Sequence, residues 1–303
     1  MKYTIITINY NNQIGLRRTI ESVICQTLTD YEYIVIDGGS TDGSIDVIKK
    51  YSGYIDFWLS EPDNGIYNAM NKGILRSKAE YTIFMNSGDT FYDNKILEKI
   101  NPFLDGTGIV NGDTMLSSGK YVKSPTEVSL GFFLYSTIIH QSTFIKTELL
   151  KENNYDERYK LVSDWKFWIQ ELIFNNVSYK NVSFLVSKFE EGGIGTTNKT
   201  LHDNEMLCVL KEMLPIKVLK DYFYFMNGRT WEEKLNLEIR YSRFNKFIYI
   251  FNICIIRIMT LFKEKSVWIK QYPLFHGTEI AKCSVLTNLY GNKTIFEKII
   301  QEE

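Results

Sequence analysis

The first ninety residues alternate between short apolar runs and segments in which apolar residues recur at helical spacing. The apolar runs predict four buried strands, from Thr4 to Tyr10, Tyr33 to Ile36, Tyr54 to Leu59 and Tyr81 to Met85. Helical patterns lie between them and include Leu16 and Ile20, Ile45 and Ile48, and Ile66 and Met70. This alternation predicts an α/β fold with a parallel, doubly wound sheet.

Three of the four predicted strands run into a polar turn. These turns are Asn9-Tyr10-Asn11, the segment from Asp37 to Asp42, and the segment from Asn86 to Asp89. Because the carboxyl ends of parallel strands lie on one edge of a sheet, the turns are predicted to form a single ligand-binding crevice. The alternative is that they are ordinary turns, since Asn, Ser, Gly and Asp are common turn residues.

The crevice has neither a G-x-G-x-x-G pattern after the first strand nor a Walker A lysine loop. The charge of a phosphate ligand must therefore be met in another way. A divalent cation, Mn²⁺ or Mg²⁺, that is held by Asp89 and bridges to phosphate oxygens is predicted to meet it, helped by the charge of Lys72. Asp37, with Ser40 nearby, is predicted to accept a hydrogen bond from a base N–H or a ribose hydroxyl. The alternative for Asp37 is a turn or helix-capping carboxylate.

Composition excludes several classes of protein. A hydrophobic content of 44% with 23% charged residues describes a folded chain, and a net charge of −1 gives no basic field for nucleic acid. The first residues lead directly into a strand-like run, so no secretion signal is expected. Four scattered cysteines and three distant histidines predict neither a disulfide framework nor a zinc site, and a reducing cytoplasm is the expected setting.

Several segments resemble a known family. They are Tyr3-Thr4-Ile5-Ile6-Thr7-Ile8-Asn9-Tyr10-Asn11, the segment from Glu21 to Thr27, and Ile34-Val35-Ile36-Asp37-Gly38-Gly39-Ser40-Thr41-Asp42-Gly43. Together they resemble the beginning of family-2 glycosyltransferases. The segment from Ser60 to Gly73 is similar to a signature of the bacterial subgroup that makes capsule, exopolysaccharide and O-antigen chains. The resemblance implies the GT-A fold, a Rossmann-like, mostly parallel sheet flanked by helices.

The resemblance also implies a reaction. The family transfers a sugar from a nucleotide-diphosphate donor, usually a UDP-sugar, with inversion at the anomeric carbon, here to a saccharide or lipid-linked saccharide acceptor. The residues expected to bind the donor are Thr7, Asn9, Asp37, Ser40, Asp63, Asn71, Lys72, Asn86, Ser87, Gly88 and Asp89. The family's metal motif is usually Asp-x-Asp. In the matching stretch Asn86-Ser87-Gly88-Asp89, only Asp89 remains as a metal ligand.

Inverting transfer requires a base that takes the proton of the acceptor hydroxyl as it attacks. The family places this base at the start of a helix in the second half of the chain. The segment from Leu161 to Ile169 fits, with Ser163 as a helix cap and Asp164 in the first turn. The alternative for Asp164 is a carboxylate favoured by the helix dipole. Trp165 either stacks on the acceptor sugar or belongs to the core.

Further resemblances place residues beside the transferred sugar. Gly112-Asp113 is predicted to close a strand from Gly108 to Asn111, and in the subgroup such an Asp borders the donor sugar. His140-Gln141 resembles the subgroup's His-Gln pair near the transferred sugar or the acceptor, although an isolated histidine is often structural. The segment from Gly192 to Thr197 is predicted either to close over the nucleotide or to serve as an ordinary glycine-rich linker.

We expect a catalytic domain over residues 1–200, with a nucleotide-binding half at 1–110 and an acceptor half at 111–200. Residues 201–303 are predicted to form a helical C-terminal extension. Its segment from Phe244 to Phe262 is apolar but carries polar residues within one arc, which predicts an amphipathic helix and not a membrane span. That helix is expected to pack on the catalytic domain, or to contact another subunit or the inner face of the cell membrane.

Two other functions stay open at this point. A sugar nucleotidyltransferase needs a Gly-rich loop with Arg and Lys after the first strand, where this chain has Asn9-Tyr10-Asn11-Asn12. A non-catalytic nucleotide-sugar-binding subunit is favoured by the missing carboxylates at Asn86 and Gly88. The glycosyltransferase interpretation is the one that accounts for both the strand-end turns and the acid at the predicted helix start.

Overall fold

The computed structural model describes residues 1–193 and 198–220. In this part of the chain one sheet contains nine strands: β1 (Tyr3–Asn9), β2 (Tyr31–Asp37), β3 (Phe57–Ser60), β4 (Tyr81–Phe84), β5 (Thr90–Phe91), β6 (Ile109–Leu116), β7 (Tyr121–Val122), β8 (Thr143–Lys146) and β9 (Tyr179–Phe189). The strands lie in the order β3-β2-β1-β4-β8-β6-β9-β5, and β7 pairs with β6.

Helices connect these strands. They are α1 (Gln13–Ile24), α2 (Ser44–Tyr51), α3 (Ile66–Arg76), α4 (Ile96–Ile100), α5 (Leu130–Phe133), α6 (Thr147–Glu152), α7 (Ser163–Trp168) and α8 (Lys199–Met213). Single turns of 3₁₀-helix form at Ser52–Tyr54, Asn101–Phe103 and His140–Ser142, and a π-helical segment at Ile169–Phe174 follows α7. This arrangement confirms the predicted α/β fold.

The first half of the sheet is parallel and brings the polar turns to one edge. β1 pairs in parallel with both β2 and β4, and β2 pairs in parallel with β3. In this register Asn9 lies opposite Asp37, and Asp37 lies opposite Ser60. Phe84, the last residue of β4, lies opposite Ile6. The turns that follow β1, β2 and β4 therefore emerge side by side.

Helices cover both faces of this parallel half. Side chains alternate between the two faces of a strand, and Tyr3 and Ile5 of β1 pack with Leu16 and Ile20 of α1 in the buried core. The other face of β1 is covered by α3, which approaches so closely that a Cβ on Gly73 would lie 2.7 Å from Ile6 Cγ2. The strand–helix alternation therefore produces the doubly wound layering that it predicts.

The second half of the sheet is built by long-range pairing. β8 is antiparallel to its neighbours β4 and β6, β6 runs parallel to β9, and β5 is antiparallel to β9. The prediction that Gly112-Asp113 closes a strand is wrong, because β6 continues to Leu116 through pairing with β9 and β7. The register with β9 shifts at Gly112 and Asp113, so these residues mark a bulge inside the strand.

Local interactions move two other predicted boundaries. The third strand begins at Phe57 instead of Tyr54, because Ser52–Tyr54 forms a 3₁₀ turn after α2. Ser163 is the first residue of α7 and not its cap, and its buried Oγ has no hydrogen-bond partner within the described chain. Asp164 lies in the first turn of α7, as predicted.

The chain divides into two compact units, Met1–Leu207 and Cys208–Glu303. The predicted domain boundary at residue 200 and the helical extension stay predictions, because the structure describes only residues 208–220 of the second unit. The segment from Phe244 to Phe262 and residues 194–197 of the glycine-rich segment lie outside the described residues. Within the described ranges, no helix has the length and apolar character needed to cross a membrane.

Candidate active site

Asp37 ties together the ends of three parallel strands. Its fully buried carboxylate accepts hydrogen bonds from Asn9 Nδ2 (2.7 Å), Ser40 Oγ (2.6 Å) and Ser60 Oγ (2.6 Å), and from the Ser40 backbone N–H (2.9 Å). Burial alone would raise the pKa of Asp37, but these hydrogen bonds outweigh it and hold the pKa below its ordinary value. The predicted donor-binding residues Asn9, Asp37 and Ser40 thus form one network at the crevice edge.

Thr7, the remaining predicted donor residue on β1, lies inside the sheet. It is fully buried, and its hydroxyl donates to the Met85 carbonyl (2.8 Å) and pairs with the Tyr33 hydroxyl (3.0 Å). Its side chain therefore links β1, β2 and the end of β4. The structure gives Thr7 a role in shaping the crevice floor and leaves no exposed surface for direct contact with a ligand.

The turn from Asn86 to Asp89 is held in place by α1. Asn12, the N-cap of α1, donates from Nδ2 to the Ser87 carbonyl (3.0 Å). Thr19 accepts from the Gly88 N–H (2.9 Å) and donates to the Asp89 carbonyl (2.7 Å). Gly88 has φ +111, a conformation that favours glycine, so the turn can bend back toward α1 at this point. The turn is thus fixed by the first helix of the fold.

Asp89 presents a buried carboxylate at the end of this turn. Oδ1 accepts from the Glu190 backbone N–H (2.8 Å) and Oδ2 accepts from Gln141 Nε2 (2.9 Å). Both donors are neutral, and burial raises the pKa of Asp89 to about 6. The two donors that orient Asp89 therefore bring no positive charge to compensate for the burial of its carboxylate.

Asp164 lies in the first turn of α7 and accepts three hydrogen bonds. Tyr67 OH (2.7 Å) and the Trp165 N–H (2.9 Å) reach Oδ1, and His140 Nδ1 lies 3.1 Å from Oδ2. Burial would raise the pKa of Asp164, but the hydrogen bonds from His140, Tyr67 and the Trp165 N–H lower it, and the pKa lies below the ordinary value. Asp164 is therefore a carboxylate that stays ionised at neutral pH.

The 3₁₀ turn His140–Ser142 connects the two acids. Gln141 binds Asp89 while its neighbour His140 binds Asp164, and His140 Nε2 also lies 3.0 Å from Asn86 Nδ2. Asn86, Asp89, His140, Gln141 and Asp164, predicted from widely separated segments, are thus brought together. Both acids lie at the same hydrogen-bonded cluster.

The predicted donor residues near α3 are engaged with nearby chain segments. Lys72 forms an ion pair with Glu61 (2.8 Å), and Asp63 accepts from the Gly65 N–H (2.9 Å). Asn71 binds the backbone of Tyr155 at both its N–H (3.0 Å) and its carbonyl (2.8 Å). The Asn71 amide thereby fastens α3 to the segment that leads into α7.

Two predicted sugar-binding residues, Asp113 and Trp165, are buried and make hydrogen bonds within the fold. Asp113 is buried in the β6 bulge, where its carboxylate accepts from the Ser124 N–H (2.8 Å) and from the Tyr121 hydroxyl. Trp165 is 4% exposed, and its indole N–H donates to the Phe133 carbonyl (2.7 Å). Trp165 thus packs in the buried core, and its stacking on an acceptor sugar stays a prediction.

Sequence reasoning missed three residues of the site. Tyr67 lies within the segment Ser60 to Gly73 that carried the family resemblance, but only the fold shows that its hydroxyl reaches Asp164. Tyr10 is 66% exposed at the end of β1, next to Gly38. Glu190 contributes a backbone N–H to Asp89 across 101 residues of sequence, and no local pattern could have indicated this contact.

This curled, mostly parallel sheet flanked by helices is the GT-A fold. The chain belongs to glycosyl transferase family 2, because the model of that family matches residues 4–156, half of the 303 residues. The protein is accordingly a glycosyltransferase.

Curated relatives agree with this assignment. An uncharacterized glycosyltransferase of Mycobacterium tuberculosis is 29% identical over 250 residues, covering 76% of this chain and 94% of that protein. A PGL/p-HBAD biosynthesis glycosyltransferase of Mycobacterium bovis is 27% identical over 215 residues, covering 68% of this chain and 82% of that protein.

Solved structures share the fold. TarS 1–349 of S. aureus, crystallised with UDP-GlcNAc, superimposes with a TM-score of 0.59 at 20% identity, covering 70% of this chain and 66% of that one. The mannosyltransferase PcManGT of Pyrobaculum calidifontis, in complex with GDP-Man and Mn²⁺, gives a TM-score of 0.50 at 15% identity, covering 67% and 59%. These similarities establish the GT-A fold.

Proposed function

We propose that this protein is an inverting glycosyltransferase that moves a sugar from a UDP-sugar to a saccharide or lipid-linked saccharide acceptor during bacterial surface polysaccharide synthesis. TarS was crystallised with UDP-GlcNAc, which supports a UDP-sugar donor. A relative is named for PGL/p-HBAD biosynthesis, which supports a glycan acceptor. The reaction would take place in the cytoplasm, where nucleotide sugars are available, or at the inner face of the cell membrane.

One observation carries this proposal. Asp89 and Asp164 are bound by adjacent residues of one 3₁₀ turn, Gln141 and His140. This one turn therefore holds both acids, Asp89 on the proposed diphosphate side and Asp164 on the proposed acceptor side. Inverting transfer requires such a pair, because the base and the leaving group act on opposite sides of the same anomeric carbon.

Asp164 is the proposed base. Its ionised carboxylate would take the proton of the acceptor hydroxyl as that oxygen bonds to the anomeric carbon. At the same time the bond from this carbon to the diphosphate oxygen breaks, and its electron pair leaves with UDP. Because the pKa of Asp164 lies below its ordinary value, the carboxylate is ionised at neutral pH and can accept a proton.

The environment of Asp89 fits a divalent cation. Its buried carboxylate is oriented by two neutral donors, and each oxygen retains a lone pair. The described residues contain no group of three or more His, Cys, Asp or Glu side chains that could hold a metal, so most ligands would come from the diphosphate and water. A cation bound by Asp89 would neutralise charge on the leaving diphosphate. The Mn²⁺ in the PcManGT complex supports this assignment without identifying the ion used here.

The nucleoside would bind at the ends of β1 and β2. Tyr10 presents an exposed ring beside Gly38, and a Cβ on Gly38 would lie 2.5 Å from Asp63 Oδ2. The Tyr10 ring and the Asp63 carboxylate thus both border Gly38, and such a pair suits stacking and N–H recognition of a planar base. The Asn9–Asp37–Ser40 network would keep the backbone of this cleft rigid.

The proposal is tested by measuring UDP release from UDP-sugars by purified full-length protein, with and without Mn²⁺. We expect Asp164→Asn to lower kcat by about 10²–10⁴-fold while the donor KM changes little, because only the proton transfer is lost. Asp89→Ala is expected to abolish the part of the activity that depends on Mn²⁺ and to weaken UDP binding. Full activity in both variants would refute the assignment, and tight UDP binding without turnover on any acceptor would favour a non-catalytic subunit.

A further inference from the structure

The described residues contain a continuous hydrogen-bonded chain from the turn after β4 to the proposed base. Asn86 Nδ2 lies 3.0 Å from His140 Nε2, and His140 Nδ1 lies 3.1 Å from Asp164 Oδ2. The imidazole therefore stands between an amide and a carboxylate. Tyr67 completes the chain on the other carboxylate oxygen (2.7 Å).

The protons of this chain can be assigned from chemistry. An ionised carboxylate only accepts hydrogen bonds, so His140 Nδ1 must carry a proton and donate it to Asp164. In a neutral imidazole the other nitrogen is then an acceptor, and it is matched by the N–H₂ group of Asn86. Every contact has one donor and one acceptor in this arrangement, with His140 neutral.

We propose that His140 and Asn86 are positioning residues, in which Asn86 fixes the Nδ1–H tautomer of His140 and His140 orients the carboxylate of Asp164 for proton abstraction. This inference rests on the proposed function, because it assigns Asp164 as the base. It also explains why this chain carries Asn at a position where the family motif has Asp. An aspartate has no N–H to offer His140 Nε2 and would draw a second proton onto the ring.

Burial of His140 and Asp164 strengthens the effect of their hydrogen bond on the proposed base. The side chains of His140 and Asp164 are each only 16% exposed, so solvent contributes little to their orientation. Without the Nδ1–H donor, Oδ2 of Asp164 would lose its hydrogen bond from His140 in a buried setting, and the carboxylate would become harder to ionise. His140 thus controls both where the base points and whether it is charged.

Other groups around the pair are compatible with a neutral imidazole. Tyr67 and Tyr155 face Asp164, and their pKa values are raised well above the ordinary value by burial and by this carboxylate, so both stay protonated. The Phe84 ring contacts His140 edge-on (6.3 Å between centroids), and the carboxylate of Asp89 interacts electrostatically with His140. Asn86 Oδ1 is buried and has no hydrogen-bond partner within the described residues.

The first test reads the tautomer directly and needs no activity. The full-length protein is labelled with ¹⁵N-histidine, and the His140 signal is assigned by comparison with His140→Gln. His202→Gln is the matched control, because His202 makes the other described His–Asp contact (3.3 Å) on a more exposed helix. We expect His140 to be the neutral Nδ1–H form at pH 7.5 and to become doubly protonated in Asn86→Asp. An Nε2–H form or an imidazolium in the wild type would overturn the proposal.

The second test separates positioning from a structural role by kinetics. We expect His140→Ala to lower kcat about 10–100-fold with little change in the donor KM, and to move the acid limb of the pH profile to higher pH. His140→Gln keeps a side-chain N–H and is expected to recover part of the loss. Unchanged kcat and pH profile in His140→Ala would refute the proposal, whereas an inactive wild type with the expected tautomer would refute the proposed function alone.

Discussion

At the scale of single residues, the crevice depends on buried carboxylates whose hydrogen bonds determine their charge. Asp37 and Asp89 are both buried at strand ends, yet their pKa values move in opposite directions. Asp37 accepts from hydroxyl groups and an amide on both oxygens, whereas Asp89 has two neutral N–H donors that do not offset its burial. Asp37 thus organises the turn after β2, whereas the donors that bind Asp89 bring no positive charge to its carboxylate.

The role of Asp37 predicts a pH-dependent stability. A carboxylate whose pKa is lowered in the folded state contributes stability above its unfolded pKa, and this contribution is lost as the pH falls through the folded pKa. We expect Asp37→Asn to be less stable than the wild type by about 1–3 kcal/mol at pH 7, and the difference to shrink below about pH 4. Urea unfolding at pH 7, 5 and 3.5 measures this difference, with the exposed Asp30→Asn as control. A difference independent of pH would contradict the prediction.

At the scale of secondary-structure elements, the sequence predicts those parts of the fold that depend on local pattern. The four parallel strands and α1, α2 and α3 follow from pattern, because β1, β2 and β4 are buried on both faces and each helix buries one face, while the edge strand β3 is half-buried. The sequence pattern did not predict the full length of β6, because pairing with β9 extends this strand beyond Gly112-Asp113. The turn from Asn86 to Asp89 was predicted from its residues, but its hydrogen bonds to Thr19 of α1 could be seen only in the folded structure.

The position of α3 predicts the effect of a single methyl group. A Cβ on Gly73 would lie 2.7 Å from Ile6 Cγ2 on β1, so Gly73→Ala forces α3 away from the sheet. We expect a loss of about 1–3 kcal/mol in unfolding free energy. Because α3 carries Tyr67, kcat should also fall as its contact with Asp164 loosens. Gly53→Ala is the control, since nothing lies within 4 Å of a Cβ there, and equal stability of the two variants would exclude the close packing.

At the scale of the whole molecule, the candidate site forms because three distant segments meet. The turn after β4, the His140–Ser142 turn and the start of α7 come together through the insertion of antiparallel β8 beside β4. Sequence reasoning named Asp89 from its strand-end turn and Asp164 from the family resemblance, but not the histidine contact that links the base to Asn86. That contact depends on β8 placing His140 between two segments that are 78 residues apart, Asn86 and Asp164.

An assembled crevice predicts that donor binding stabilises the fold as a unit. A ligand present at 100 times its Kd stabilises the native state by about 2.7 kcal/mol, which corresponds to a rise of roughly 5–10 °C in Tm for a domain of this size. We expect UDP with Mn²⁺ to produce a rise of this order in the full-length protein, and GDP with Mn²⁺ a smaller one. In Asp89→Ala, the part of the shift that depends on Mn²⁺ should disappear while a smaller shift from UDP alone remains. An unchanged Mn²⁺-dependent shift in Asp89→Ala would place the cation elsewhere, and the absence of any shift with UDP would argue against a uridine nucleotide as the donor.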